Sequence, residues 1–181
     1  MRVIGIDPGT RVCGYGVLEF RNGEVTHIAS GIITPASTLP IPERLKTVYD
    51  NIVKVIREHS PDVMSVEDIF FSKNVKSAIK LGEARGVALL AASSAGISIY
   101  EYSPTKVKLA LTGRGRANKT EVQKMISRIL GVSEFEAEDA SDAVAIALCH
   151  INLSRIEKKL GSEFVQSRRR RRRFTLDDLP S

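Results

Sequence analysis

The first thirty-five residues divide into three short stretches of apolar and small residues separated by turn signals. Val3-Ile4-Gly5-Ile6-Asp7 is an apolar run stopped by Pro8-Gly9, too short for a helix and rich in β-branched residues, which predicts a strand. Cys13 to Phe20 predicts a second strand, with Gly14 and Gly16 leaving room for another backbone to approach. Arg21-Asn22-Gly23 is a hairpin signal, and Val25 to Thr34 predicts a third strand, antiparallel like the second. The period then changes. Leu45, Val48, Tyr49, Ile52 and Ile56 repeat at helical spacing, predicting a helix to about Glu58 that Pro61 ends. Val63 to Val66 predicts a fourth strand closing on Glu67 and Asp68. The intervening helix makes the connection long enough for this strand to lie parallel to the first. Lys73 to Ala95 predicts an Ala-rich helix whose Gly82 and Gly86 form a smooth face, and Ile97 to Tyr102 a fifth strand. Ser103-Pro104 opens a short helix to Leu111, and Thr112 to Ala117 reads as a flexible basic loop. Asn118, with Glu121 three residues on, caps a helix to about Leu130, and a last helix runs from near Ala137 through Lys159. The order is βββαβαβααα, an α/β fold with a five-stranded mixed sheet flanked by helices.

This pattern places two acids at one edge. Asp7 ends the first strand and Glu67 the fourth; if the strands are parallel neighbours, both carboxylates lie side by side at carboxyl ends, where open α/β sheets bind ligands. Asp7 alone reads equally as a turn-former before Pro8-Gly9. Asp139 and Asp142 are three apart, so they share a face of the last helix, and Ala143, Ile146, Ala147 and His150 continue that face as a buried stripe. Acids near a helix amino terminus also favour its dipole, which accounts for Glu138 and one Asp but not for Asp142 in line with the stripe. Four carboxylates around one point repel each other unless a cation is present. Oxygen ligands without paired Cys or His favour Mg²⁺ or Mn²⁺ over zinc. Two such ions about 4 Å apart activate water and stabilise the leaving oxygen in phosphodiester hydrolysis.

Composition narrows the choice. The 181 residues suit one domain, with 43% hydrophobic and 27% charged residues and no stretch apolar enough to cross a bilayer. No signal peptide is predicted, and the cytoplasm is the expected compartment. Cys13 and Cys149 sit among small or apolar residues and read as core filling. The net charge of +6 is uneven: beyond residue 167, six arginines and two aspartates supply +4, leaving +2 for the rest. Basic residues are locally segregated. Lys106, Lys108, Arg114, Arg116, Lys119, Lys124 and Arg128 form one segment; Lys73, Lys76, Lys80 and Arg85 form another. Either could hold a phosphate backbone; any single lysine reads first as a solvated surface residue, and it is the density of basic residues that favours contact. Residues 161–181 are expected to be a basic, disordered tail after a domain of residues 1–160. Its Arg168–Arg173 run is either a DNA-binding or a solubilising element.

Several motifs together carry a resemblance. Gly5-Ile6-Asp7-Pro8-Gly9-Thr10-Arg11 with Gly14-Tyr15-Gly16, Glu67-Asp68-Ile69-Phe70, Lys73-Asn74, Leu81-Gly82-Glu83-Ala84-Arg85-Gly86 and Asp139-Ala140-Ser141-Asp142-Ala143 resemble the RuvC family of Holliday junction resolvases, from Met1 to about His150. The resemblance implies an RNase H-like fold and a homodimer that nicks two opposed strands of a four-way DNA junction with Mg²⁺, two ions per site and Mn²⁺ as a possible substitute, alongside branch-migration proteins. It implies Asp7, Glu67, Asp139 and Asp142 as the catalytic, metal-holding acids. Asp7 would be shared by both ions, Glu67 would hold one, and Asp139 with Asp142 the other. It also implies Lys108 and Lys119 as DNA contacts and Phe70 as a junction-facing aromatic. The basic segments add Arg114, Arg116, Lys73 and Lys76 as candidate DNA contacts. The Ala- and Gly-rich side of the second helix is the candidate dimer face. Two rivals remain: an actin-like or sugar-kinase ATPase, which also carries Asp-x-Gly-Thr but needs a second domain and phosphate loop, and a non-catalytic junction binder, which has no use for four converging acids.

Overall fold

The computed structural model describes residues 1–68, 75–132, 135 and 137–160. Five strands, β1 (Arg2–Asp7), β2 (Cys13–Arg21), β3 (Glu24–Ile33), β4 (Val63–Glu67) and β5 (Ser98–Tyr102), form one sheet in the order β3-β2-β1-β4-β5. β1, β2 and β3 are antiparallel; β4 pairs parallel with β1, and β5 parallel with β4. The helices are α1 (Ile41–His59), α2 (Val75–Ser94), α3 (Pro104–Thr112), α4 (Lys119–Leu130) and α5 (Glu138–Leu160). This is the mixed sheet expected from the sequence, with the boundaries moved by a few residues.

Period-two alternation assigns the two faces. Ile4, Ile6, Met64 and Val66 pack with Val48, Ile52 and Val55 of α1 and Ala88, Ala91 and Ala92 of α2. Val3 and Leu18 pack on the opposite face with α5 and with Val107, Val122 and Ile126 of α3 and α4. Three positions of the sheet under α5 are glycine: Gly5, Gly14 and Gly16. A Cβ at Gly5 would lie 2.0 Å from the Ala143 carbonyl oxygen, and one at Gly14 2.0 Å from that of Asp139. α5 therefore lies directly on the backbone of β1 and β2, which is the close approach that Gly14 and Gly16 predict.

Several local predictions change. α5 is not amphipathic: Ala140, Ser141 and every residue from Ala143 to Ile151 are buried, because the sheet covers one side and α3 and α4 the other. Asp142 is the partly exposed exception, at a rim rather than in line with a buried stripe. α1 stops one residue before Pro61, at Ser60, whose left-handed backbone (φ 46°) returns its N–H to the Ile56 carbonyl. The basic loop after α3 is fastened: Thr112 hydroxyl donates to the Lys108 carbonyl, Gly113 caps α3, and Ala117 is buried. The Asn22-Gly23 turn has positive φ at both residues, as a two-residue hairpin requires. Asn118 and Glu121 complete a reciprocal capping box. Both cysteines are free and buried. Among the described residues no helix is long and apolar enough to cross a membrane.

Candidate metal centre and nucleic-acid interface

Strand register builds the first half of the site. Ile6 pairs with Val66, so Asp7 and Glu67 follow as neighbours on parallel strands. Both continue the parity of Val3, Gly5 and Val63, so both side chains turn to the α5 face. There Gly14, the partner of Asp7 on β2, admits the first turn of α5 against the sheet and brings Asp139 and Asp142 in.

The electrostatics record the convergence. The Asp7 carboxyl is raised from 3.8 to about 7, first by burial and then by Glu67, Asp142 and Asp139, with Lys119 opposing. Glu67 is also raised, by burial and by Asp142, while Lys108 and Lys119 pull it down. The thiol of Cys13, beneath the turn, is pushed up to about 12 by burial and, less, by Asp7 and Asp139. A thiol held protonated there is filler, not a ligand.

Lys119, the first residue of α4, reaches over the head of α5. Its ammonium lies 2.8 Å from Asp142 Oδ2 and 2.8 Å from Glu138 Oε1. Burial works against its charge, but these hydrogen bonds outweigh it and raise its pKa. Glu138, read from the sequence as a helix-dipole acid, therefore has a specific partner.

Among the described residues, no three acidic, imidazole or thiol side chains stand close enough together to hold a metal ion as they are placed. The donor set nevertheless fits a hard divalent cation. Its donors are all carboxylate oxygens, and Lys108 and Lys119 offset their mutual repulsion only in part, since Asp7 and Glu67 both stay raised.

The basic candidates separate. Lys108 and Lys119 lie within electrostatic reach of the acids. Arg116 is exposed, while Arg114 is engaged 2.5 Å from Glu121. Lys76 is exposed at the start of α2. Phe70 and Lys73, with Phe71, lie outside the described residues, as does the Arg168–Arg173 tail. Arg85, counted in the sequence with the phosphate-facing lysines, turns inward instead: its Nε donates to the Glu67 carbonyl at 3.2 Å and its guanidinium pairs with Glu101.

Arg44 is the residue that sequence reasoning missed. It is buried on α1 and donates to the Thr10 carbonyl in the turn after Asp7. The signal was available: Arg44 stands four residues before Val48, on the same apolar stripe. His150 is no ligand. It is buried, 2.7 Å from the Tyr102 hydroxyl, and burial lowers its pKa to about 4.

A mixed five-stranded sheet with acids at adjacent strand ends, faced by more acids at the head of a long helix, defines a nuclease of the RNase H-like fold. The family described as crossover junction endodeoxyribonuclease RuvC matches residues 3–150. A crossover junction endodeoxyribonuclease RuvC from Trichlorobacter lovleyi is 44% identical over 93% of this chain and 95% of its own length. One from Caldicellulosiruptor saccharolyticus is 48% identical over 83% and 92%. The solved structure of T. thermophilus RuvC in complex with Holliday junction substrate superposes with a TM-score of 0.82 at 35% identity, covering 86% of this chain and 96% of that one. The chain belongs to the RuvC family.

Proposed function

We propose that this chain is a divalent-metal-dependent endonuclease that resolves four-way DNA junctions by nicking two opposed strands. The observation that carries the chemistry is the convergence of the acids: Asp7 and Glu67 end adjacent parallel strands, and the first turn of α5, seated on Gly14, carries Asp139 and Asp142 toward them, so that burial and these neighbours disfavour the charge on Asp7. Asp7, Glu67, Asp139 and Asp142 would hold Mg²⁺, with Mn²⁺ as an alternative. When bound, the ions supply the charge that activates water and stabilises the leaving oxygen of a phosphodiester. The protein's own part is to hold the four carboxylates together and to place Lys108 and Lys119 beside them as phosphate contacts. Phe70 would stack on a base unpaired at the junction centre. The relative solved with a Holliday junction supports the substrate.

Paired nicking needs two active sites, and we assign α2 as the face that joins two copies. The alanines expected on that face, Ala84, Ala88, Ala91 and Ala92, are buried in the core instead; Val75, Ile79 and Leu90 stand exposed with the glycines, and among the described residues a Cβ added at Gly82 or Gly86 would meet nothing within 4 Å. Residues 75, 79, 82, 86 and 90 recur at helical spacing and form one apolar stripe. The same reading places the protein in the cytoplasm, working with branch-migration proteins.

The test is cleavage of a synthetic four-way junction with Mg²⁺ and with chelator, beside linear duplex and an ATP hydrolysis assay. Metal-dependent nicks on the junction alone are expected. ATP hydrolysis, or binding without nicking, would favour the rival readings.

A further inference from the structure

Asp7 and Glu67 repel each other at the ends of adjacent strands, so the backbone beneath them must resist being pushed apart. Two arginines on the opposite side of the sheet from α5 reach that backbone. Arg44, from the first turn of α1, is only 9% exposed. It donates to the Thr10 carbonyl, and among the described residues its Nε has no partner and no carboxylate is paired with it. Taking a guanidinium out of water for one carbonyl is costly, and an apolar side chain would fill the stripe of α1 more cheaply. The bond is spent on the turn that follows Asp7, where Thr10 is buried and a Cβ at Gly9 would lie 2.0 Å from the Val12 carbonyl. Arg85, from α2, does the equivalent for β4: its Nε donates to the carbonyl of Glu67 itself, while its terminal nitrogen pairs with Glu101 and stands 3.9 Å from Asp68.

We infer that Arg44 and Arg85 are positioning residues for metal binding: each fixes the backbone at the end of an acid-bearing strand from behind, and together they set the affinity of the Asp7–Glu67 pair for divalent cations. This rests on the nuclease reading above. Neither residue need touch metal or DNA. Loss of groups that orient ligands typically weakens metal binding by about 10- to 100-fold.

The experiment is calorimetric titration of Mg²⁺ into the DNA-free full chain, for wild type, Arg44→Met and Arg85→Met, with melting temperature and junction binding in chelator measured on the same preparations. Met keeps the apolar stem and removes the donors. About tenfold weaker Mg²⁺ binding is expected, with unchanged junction binding in chelator. Cleavage should return toward the wild-type rate at high Mg²⁺. Arg44→Lys and Arg85→Lys, which keep a cation and one donor, should fall between. Where Arg85→Met is unfolded at the assay temperature, Glu101→Gln decides instead: it loosens Arg85 from an exposed position and should weaken Mg²⁺ binding two- to threefold; where Arg44→Met is unfolded, Arg44→Lys decides, and Mg²⁺ binding as tight as wild type's would overturn the role of Arg44. Folded variants that bind Mg²⁺ as wild type does, or that lose cleavage which Mg²⁺ cannot restore, overturn the inference. Wild type that neither binds Mg²⁺ nor nicks junctions overturns the nuclease reading and this inference with it.

Discussion

Asp7→Asn keeps the size of the side chain and removes one of four converging charges. In the metal-free protein that charge is a burden. The folded-state pKa of Asp7 is about 7 against an ordinary 3.8, a rise of roughly three units, and each unit is about 1.4 kcal/mol. The ceiling is thus about 4 kcal/mol, and ~2–4 kcal/mol after allowing for partial solvent access. Because the pKa is raised on folding, ionisation of Asp7 costs nothing below about pH 3.8. The cost grows as pH rises through the window to about 7, and is complete above it. Asp7→Asn should therefore melt higher than wild type in chelator at pH 8, by about 5–10 °C for a chain of this size, and the two should converge near pH 4. Added Mg²⁺ should reverse the order, because wild type gains stability from the bound ion and the variant gains little. Junction binding should stay near wild type while cleavage is largely lost. Thermal melts at both pH values, with and without Mg²⁺, beside gel-shift and nicking assays, decide it. A variant no more stable than wild type in chelator at pH 8, or one that cleaves normally, would refute the charge argument.

Replacing Lys108 and Lys119 by Ala should weaken junction binding and reduce the log–log salt slope by about one unit per lost contact; an unchanged slope would return both to ordinary solvated lysines. Gly14→Ala should destabilise the fold by roughly 1–3 kcal/mol or more, because its Cβ would collide with the Asp139 carbonyl, and denaturant unfolding would show it. Phe70→Ala should leave the melting temperature nearly unchanged but abolish unstacking of a fluorescent base analogue at the crossover, a contact worth ~1–3 kcal/mol. Phe71→Ala should instead lower the melting temperature.

What was legible in the sequence was periodic. Strands β1 to β4, the helix that makes β4 parallel, and the acids at the strand ends all follow from runs, turns and spacing. Gly14 and Gly16 signalled that another backbone would approach closely, though not that it would be α5. What stayed hidden depends on what packs against an element. The all-round burial of α5 comes from α3 and α4, which its own sequence cannot reveal. Arg85 read as a DNA-facing charge because its neighbours in sequence are lysines; its partners, Glu67 and Glu101, are far along the chain. The basic loop looked flexible by composition, yet Thr112 and Ala117 tie it down through contacts that composition does not encode. Lys119 was legible as basic, but not as the partner of Asp142 and Glu138, since the packing that brings the start of α4 to the head of α5 is a tertiary outcome.

If the four carboxylates serve paired nicking of a branched DNA, the nicks that the wild-type chain makes on a mobile four-way junction in Mg²⁺, mapped strand by strand, will lie at symmetric positions on two opposed strands. They should be absent in chelator and absent with Asp7→Asn. Nicks on one strand only, cleavage of linear duplex at the same rate, or nicking that survives Asp7→Asn would contradict that role.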